Sequence, residues 1–154
     1  MVAALAAAVL AAGCGDASSE GFHVEAPAGF KDQTGLTTRR SEAKIEALWQ
    51  SADASIVVVR AKRPEGASLT DVMKAGQDLT RADHPDARIG PLAPAKLDGA
   101  PAASYDFTRA GAKARQLGAI HDDHVYLITF SAKPGAFERR LSSLDGLLRS
   151  WRWE

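Results

Sequence analysis

Two turn signals divide residues 101–131 into three apolar segments of similar length, and this pattern leaves the chain few architectures. With Ala110-Gly111 and Asp122-Asp123 as two-residue turns, the segments pair as an antiparallel meander. That register sets Asp106 opposite Arg115, an opposite-charge pair, and Tyr105 opposite Gln116. Phe107, Tyr105, Leu127, Val125 and Ile120 share one face, while Tyr126, Ile128, Phe130 and Leu117 share the other. Apolar bulk on both faces requires cover on both. A bulge at Gly111 would shift the first pairing by one residue.

Cover is signalled on either side of the meander. Ser68-Leu-Thr-Asp71 is a helix-capping pattern: Ser68 offers its oxygen to backbone N–H groups and Asp71 suits the positive end of the helix. Leu69, Val72, Met73, Gly76 and Leu79 follow at helical spacing, and Asp83-His84-Pro85 predicts the end. A second helix is predicted to begin near Pro134, with Phe137, Leu141, Leu144 and Leu148 as its buried stripe. Further strands are expected at Phe22–Ala26, stopped by Pro27-Ala-Gly29, and at Lys44–Trp49, with Lys44/Glu46 alternating against Ile45/Ala47/Trp49. Ile56–Val59, β-branched throughout and apolar on both faces, predicts a strand covered on both sides. A Pro- and Ala-rich segment with Pro91 and Pro94 leads to Asp98-Gly99, a favoured hairpin turn. Ser150-Trp-Arg-Trp153 closes the chain with both indoles on one side of an extended segment. The expected fold class is α+β, an antiparallel sheet sandwiched by helices. With 154 residues, 45% of them hydrophobic, one core can form without disulfides or structural metal.

The N-terminus reads as an address. Val2–Ala12 is an uninterrupted run of small and apolar residues, too short to span a bilayer but suited to the apolar region of a signal peptide. Ala11-Ala12-Gly13-Cys14 then resembles a lipobox, in which lipid is added to the Cys14 thiol and the peptide is cut before it. Ala11 stands where Leu is more usual, and Met1-Val2 supplies no basic n-region, so a basic segment is expected upstream of Met1. Cys14 is the single cysteine, so no intramolecular disulfide is available to it. The expected organisation is a lipoprotein signal peptide over 1–13, a flexible tether over 14–20 and a single α+β domain over 21–154. The expected partner at this end is a membrane, held through lipidated Cys14.

Little in the chain suggests chemistry. His121-Asp122-Asp123-His124 is the one cluster of ligand-type residues. A two-residue turn would make the imidazoles cross-strand neighbours, with Cβ atoms ~4.5–5.5 Å apart, and two His with a carboxylate can bind zinc or copper. A solvated hairpin tip accounts for the same residues, and no third and fourth ligands are identifiable, so no metal and no cofactor is expected. His84 suits helix termination. No Gly-x-Ser-x-Gly, phosphate loop or zinc-protease helix occurs, and no catalytic residue is assigned. Lys62-Arg63 and Arg139-Arg140 read as solvated surface, with phospholipid headgroups as the other possibility. Trp49, Trp151 and Trp153 read as core rather than as a stacking platform. Lys+Arg and Asp+Glu stand at 19 each, and no basic stripe accompanies that balance, which argues against nucleic acid.

Four segments in order carry a resemblance: Phe22-x-Val24-x-x-Pro27-x-Gly29-Phe30, Ala47-Leu48-Trp49, Gly99-x-Pro101-Ala102 and Ser150-Trp151-Arg152-Trp153. Together with the signal and the long helix before the ending, they resemble the PsbP/Mog-like fold and, within it, actinobacterial LpqN-type lipoproteins. The resemblance implies an α/β/α sandwich that is non-catalytic and docks to a partner, as PsbP does in the photosynthetic oxygen-evolving complex. It supplies no catalytic residues. The expected function is therefore a lipid-anchored envelope protein that docks a protein partner. The alternative is a carrier of a small apolar ligand or lipid, which would need a cavity of roughly 300 Å³ or more between sheet and helix. A docking module would instead be filled and show an exposed apolar patch.

Overall fold

The computed structural model describes residues 17–19, 21–36, 43–109 and 111–154. In chain order its elements are β1 (Ala17–Ser19), β2 (Phe22–Val24), β3 (Lys31–Asp32), a 3₁₀ turn (Thr34–Leu36), β4 (Lys44–Gln50), β5 (Ala54–Lys62), α1 (Leu69–Asp83), β6 (Arg88–Ile89), β7 (Ala93–Leu97), β8 (Ala100–Arg109), β9 (Ala112–His121), β10 (His124–Ala132), α2 (Phe137–Ser150) and β11 (Arg152–Trp153). The main sheet is antiparallel, in the order β3-β4-β5-β10-β9-β8, with β7 and β6 pairing successive halves of β8. A second, small sheet has the order β1-β2-β11.

The turns set the register of the meander. Leu97 pairs with Ala100 and His121 with His124, so Asp98-Gly99 and Asp122-Asp123 are two-residue connections. All four of these turn residues have positive φ (46°, 77°, 44° and 62°), the conformation whose twist matches flanking strands. Arg109 pairs with Ala112, so the unshifted register holds: Asp106 lies opposite Arg115 and Tyr105 opposite Gln116. Arg115 makes two hydrogen bonds to Asp106, at 2.7 and 3.0 Å.

The meander's two faces are covered by different layers. On one, Tyr126, Ile128, Phe130, Leu117, Ile56, Val58, Ala47 and Trp49 meet α2 and the small sheet in the main core. Phe130 packs on Phe137 with ring centroids 5.2 Å apart, and Phe22 stacks on Trp151 at 4.2 Å. On the other, α1 lies on β8 and β9, and Met73 is fully buried with Tyr105, Phe107 and Ala114. Met73 sits where β9 has no side chain: a Cβ at Gly118 would overlap its sulfur. The expected α+β sandwich is the observed one.

The helix start at Ser68 is as read from the sequence. Ser68 Oγ accepts from the Asp71 N–H at 3.1 Å, and the Asp71 carboxylate accepts from the Ser68 N–H at 2.8 Å. The Ser68 hydroxyl is the main cause holding the Asp71 carboxyl below its ordinary pKa. Ser68→Ala should lower the unfolding free energy by about 1 kcal/mol. Urea unfolding followed by circular dichroism checks this, and a change under about 0.3 kcal/mol would show that the cap contributes little.

Five expectations need local correction. The inward face of α1 continues through Gln77 and Thr80, leaving Leu79 at its margin and 63% exposed. Gln77 is tolerated inside because its Nε2 donates to the Gly90 carbonyl at 3.0 Å. Helix α2 starts at Phe137, after Pro134 has served in the preceding turn, and Leu147 joins its buried stripe. A bulge interrupts β4 between Ile45 and Ala47, so Ile45 falls on the opposite face from Ala47 and Trp49. Strand β5 is buried on one face only, with Val57 and Val59 half-buried. Finally, residues 17–19, expected in a tether, form β1 with Ala17 opposite Val24 and Ser19 opposite Phe22. Its polar composition carries no strand signature; Gly21, at φ 108°, allows the reversal where a Cβ would run into the Tyr126 hydroxyl.

Candidate interaction surface

The hairpin tip brings His121 and His124 together in register, then occupies each with other partners. The His121 ring stacks on the Trp153 indole at 4.3 Å, with its Nε2 3.3 Å from Asp122 Oδ2. His124 Nδ1 lies 2.9 Å from the Asp122 carbonyl, which can only accept, so Nδ1 is the donor. The Asp123 carbonyl accepts from the Arg63 N–H. Among the described residues, no group of three His, Cys, Asp or Glu converges as metal ligands would. His84 ends α1, its N–H donating to the Thr80 carbonyl, and its Nε2 accepts from Arg109 at 2.8 Å. Cys14 lies outside the described residues.

The basic clusters are partly spoken for. Arg139 and Arg140 both reach Asp53, at 2.9 and 3.0 Å. The Ser51 hydroxyl and these guanidiniums hold the Asp53 carboxyl below its ordinary pKa. Arg63 Nε donates to the Ala67 carbonyl. Trp49 and Trp151 are fully buried, and Trp153 is half-buried with its Nε1 donating to the Leu97 carbonyl. The indoles are core, as expected.

One polar centre had no signal in the sequence. The β4 bulge turns Glu46 inward, where its side chain is 3% exposed and lies 2.9 Å from Arg60 Nε and 3.1 Å from Lys44 Nζ. Arg60 is the register neighbour of Tyr126, whose hydroxyl is pushed above its ordinary pKa by burial and opposed by hydrogen bonding to Arg60. This ion pair joins β4 to β5 beneath the small sheet.

The surface that stands out is the α1-side face of β10, β5 and β4. Register places Gly118, Leu127, Val59 and Ile45 in one row across β9, β10, β5 and β4. Gln116, Thr129, Val57 and Leu48 form the next row. Leu127, Val59, Ile45, Val57 and Leu48 are only half-buried, whereas Ile56, Val58, Trp49 and Ile128 on the other face of the same strands are at most 1% exposed. Leu79 flanks these rows from the margin of α1. Branched apolar side chains lined up in partial contact with water form a surface that gains free energy on being covered.

Among the described residues, two grooves lie against the helices. Between α1 and the sheet there is a groove of about 190 Å³, bounded by Gly76, Leu79, Thr80, Phe107 and Leu127. A groove of about 350 Å³ lies between α2 and residues 25–28, with Ser142, Ser143, Gly146 and the buried Leu147 along it. The first is smaller than a ligand pocket of this kind requires.

No family model and no curated protein matches the chain by sequence. Solved structures do match by shape. The solution structure of cyanobacterial PsbP (CyanoP) from Synechocystis sp. PCC 6803 aligns with TM-score 0.70 at 12% identity, covering 98% of each chain. LpqN, involved in cell envelope biogenesis of Mycobacterium tuberculosis, aligns with TM-score 0.64 at 13% identity, over 86% of this chain and 82% of that one. The Saccharomyces cerevisiae Ran-binding protein Mog1p aligns with TM-score 0.58 at 10% identity, over 85% and 89%. The chain thus has the PsbP/Mog1-like fold, and its likeness to LpqN is one of structure rather than sequence.

Proposed function

We propose that this is a non-enzymatic, lipid-anchored protein of the bacterial envelope that docks a protein partner through the α1-side face of its sheet. The observation that carries the docking role is the half-buried apolar rows on β10, β5 and β4, opposite a face of the same strands that is fully packed. The Ran-binding description of Mog1p, a protein of the same fold, supports a binding role by analogy. The anchor rests on Ala11-Ala12-Gly13-Cys14 after an apolar run. A diacylglyceryl group supplies the two chains that stable attachment requires.

Two variants test the two halves of this reading. Cys14→Ser should release the protein into the medium or block its maturation; a variant that stays membrane-bound and normally processed would overturn the anchor. Val57→Lys puts a charge in the middle of the apolar rows, on a side chain long enough to reach water. It should weaken crosslinking to the partner in intact membranes by about tenfold or more, as loss of a central interface contact does. Ser142→Lys, on the outside of α2, serves as control and should leave crosslinking unchanged. Undiminished crosslinking by a folded Val57→Lys protein would remove the docking face.

A further inference from the structure

We infer that the partner occupies the α1-side face as an amphipathic α-helix lying beside α1, over β10 and β5, with an apolar stripe of about two turns broken by one hydrogen-bond acceptor. The inference rests on the docking reading given above and names the chemistry of the occupant.

The packing of α1 sets the geometry. Helix α1 lies over β8 and β9. Met73 sits against Gly118, and one turn later Gly76 comes against Gln116 and Tyr105, which form the next row of the sheet. The helix therefore runs along the strands and meets one row per turn, since rows are about 7 Å apart and a turn rises about 5.4 Å. In the sheet order, β10 and β5 are the next two strands. Two strand spacings amount to about 9.6 Å, and packed helices lie about 8–10 Å apart. A second helix over β10 and β5 would thus touch the sheet and α1 together.

The floor of that position suits one helix face. Leu127 and Val59 form one row and Thr129 and Val57 the next, all only partly buried. Beyond them lie Ser131 and Ser55 in one direction and the already buried Val125 in the other. Leu79, 63% exposed on the flank of α1, shares a groove with Leu127 and would meet the side of the incoming helix.

One polar contact is left open in this floor. The Tyr105 hydroxyl donates to Gln116 Oε1 at 2.8 Å, and Gln116 Nε2 donates to Thr129 Oγ1 at 3.1 Å. Among the described residues, no acceptor takes the Thr129 proton. A Gln, Asn or Ser on the helix stripe would complete the chain, whereas an acyl chain has no acceptor to offer. A second copy fits less well: a stable dimer hides about 800 Å² on each partner, and two strands by two rows measure only about 10 by 14 Å.

The test replaces Val57, Val59 or Leu79 of the full chain with the photo-crosslinker p-benzoylphenylalanine, irradiates intact membranes and maps each adduct to a residue by mass spectrometry. Leu79 already stands mostly in water, so a bulky replacement there leaves the fold intact. Adducts from Val57 and Val59 should fall three or four residues apart in one segment of one protein, as on a single helix face. Adducts from Leu79 should fall in the same segment. Thr129→Val should lower the Leu79 yield about fivefold, as loss of one hydrogen bond does; an undiminished yield would remove the acceptor from the stripe. Adducts two residues apart, as in an extended strand, would overturn the helix and leave the docking reading standing. Adducts to residues of this chain would put a second copy there and overturn the inference. Adducts to acyl chains alone, or none, would overturn the docking reading with it.

Discussion

Replacing Trp151 with alanine is expected to lower the unfolding free energy by about 3–5 kcal/mol. The side chain is fully buried and stacks on Phe22 with ring planes 11° apart, while Tyr126 and Trp153 meet it edge-on at 6.3 and 5.3 Å. It occupies the junction where α2 passes into β11, so its ring ties the small sheet to the main one. Truncation leaves a cavity that neither sheet can close, since Phe22 and Tyr126 are fixed by their own strands. Trp153→Ala, at a half-buried position, should have a clearly smaller effect. Urea unfolding by circular dichroism measures both. A Trp151→Ala loss under about 1.5 kcal/mol would mean that the small sheet is not held by this stack.

The second large effect is expected at the buried ion pair. Arg60→Met strands the Glu46 carboxylate, 3% exposed, with half-exposed Lys44 as its remaining cation. Losing the Arg60 contact should destabilise by about 1.5–3 kcal/mol, the range for a hydrogen bond to a charged group, because the carboxylate stays out of water with Lys44 alone beside it. Replacing both, as Glu46→Leu with Arg60→Met, should recover most of that loss, since desolvating two charges offsets much of their attraction. The double-mutant cycle distinguishes this from simple packing. If the double variant is as unstable as Arg60→Met alone, the loss lies in the arginine's contacts with Tyr126 and its neighbours rather than in the stranded carboxylate.

These two sites differ in how far the sequence reveals them. Trp151 is legible as core because it reads as a residue of an extended segment in a chain with few aromatics. The Glu46–Arg60 pair was not legible, because Lys44–Trp49 alternates like a regular strand and nothing local marks the bulge. The charge that draws Glu46 inward is on the neighbouring strand. The α1 stripe failed for a similar reason: Gln77 is buried because the Gly90 carbonyl stands opposite its amide, a partner that helical periodicity cannot supply.

The sequence by itself determined the features that depend on near neighbours. Ser68 and Asp71 cap a helix because they are three residues apart, and the paired positive-φ turns at Asp98-Gly99 and Asp122-Asp123 align their strands. The Asp106–Arg115 and Tyr105–Gln116 pairs follow from that alignment. Only the tertiary structure decided which of the apolar faces would be covered. Val57 and Val59 read no differently from Ile56 and Val58, and periodicity reports which side chains gain from burial. Whether an element arrives to bury them depends on where α1 settles. It settles over β8 and β9, where Gly118 leaves room for Met73, and the valines are left only partly buried.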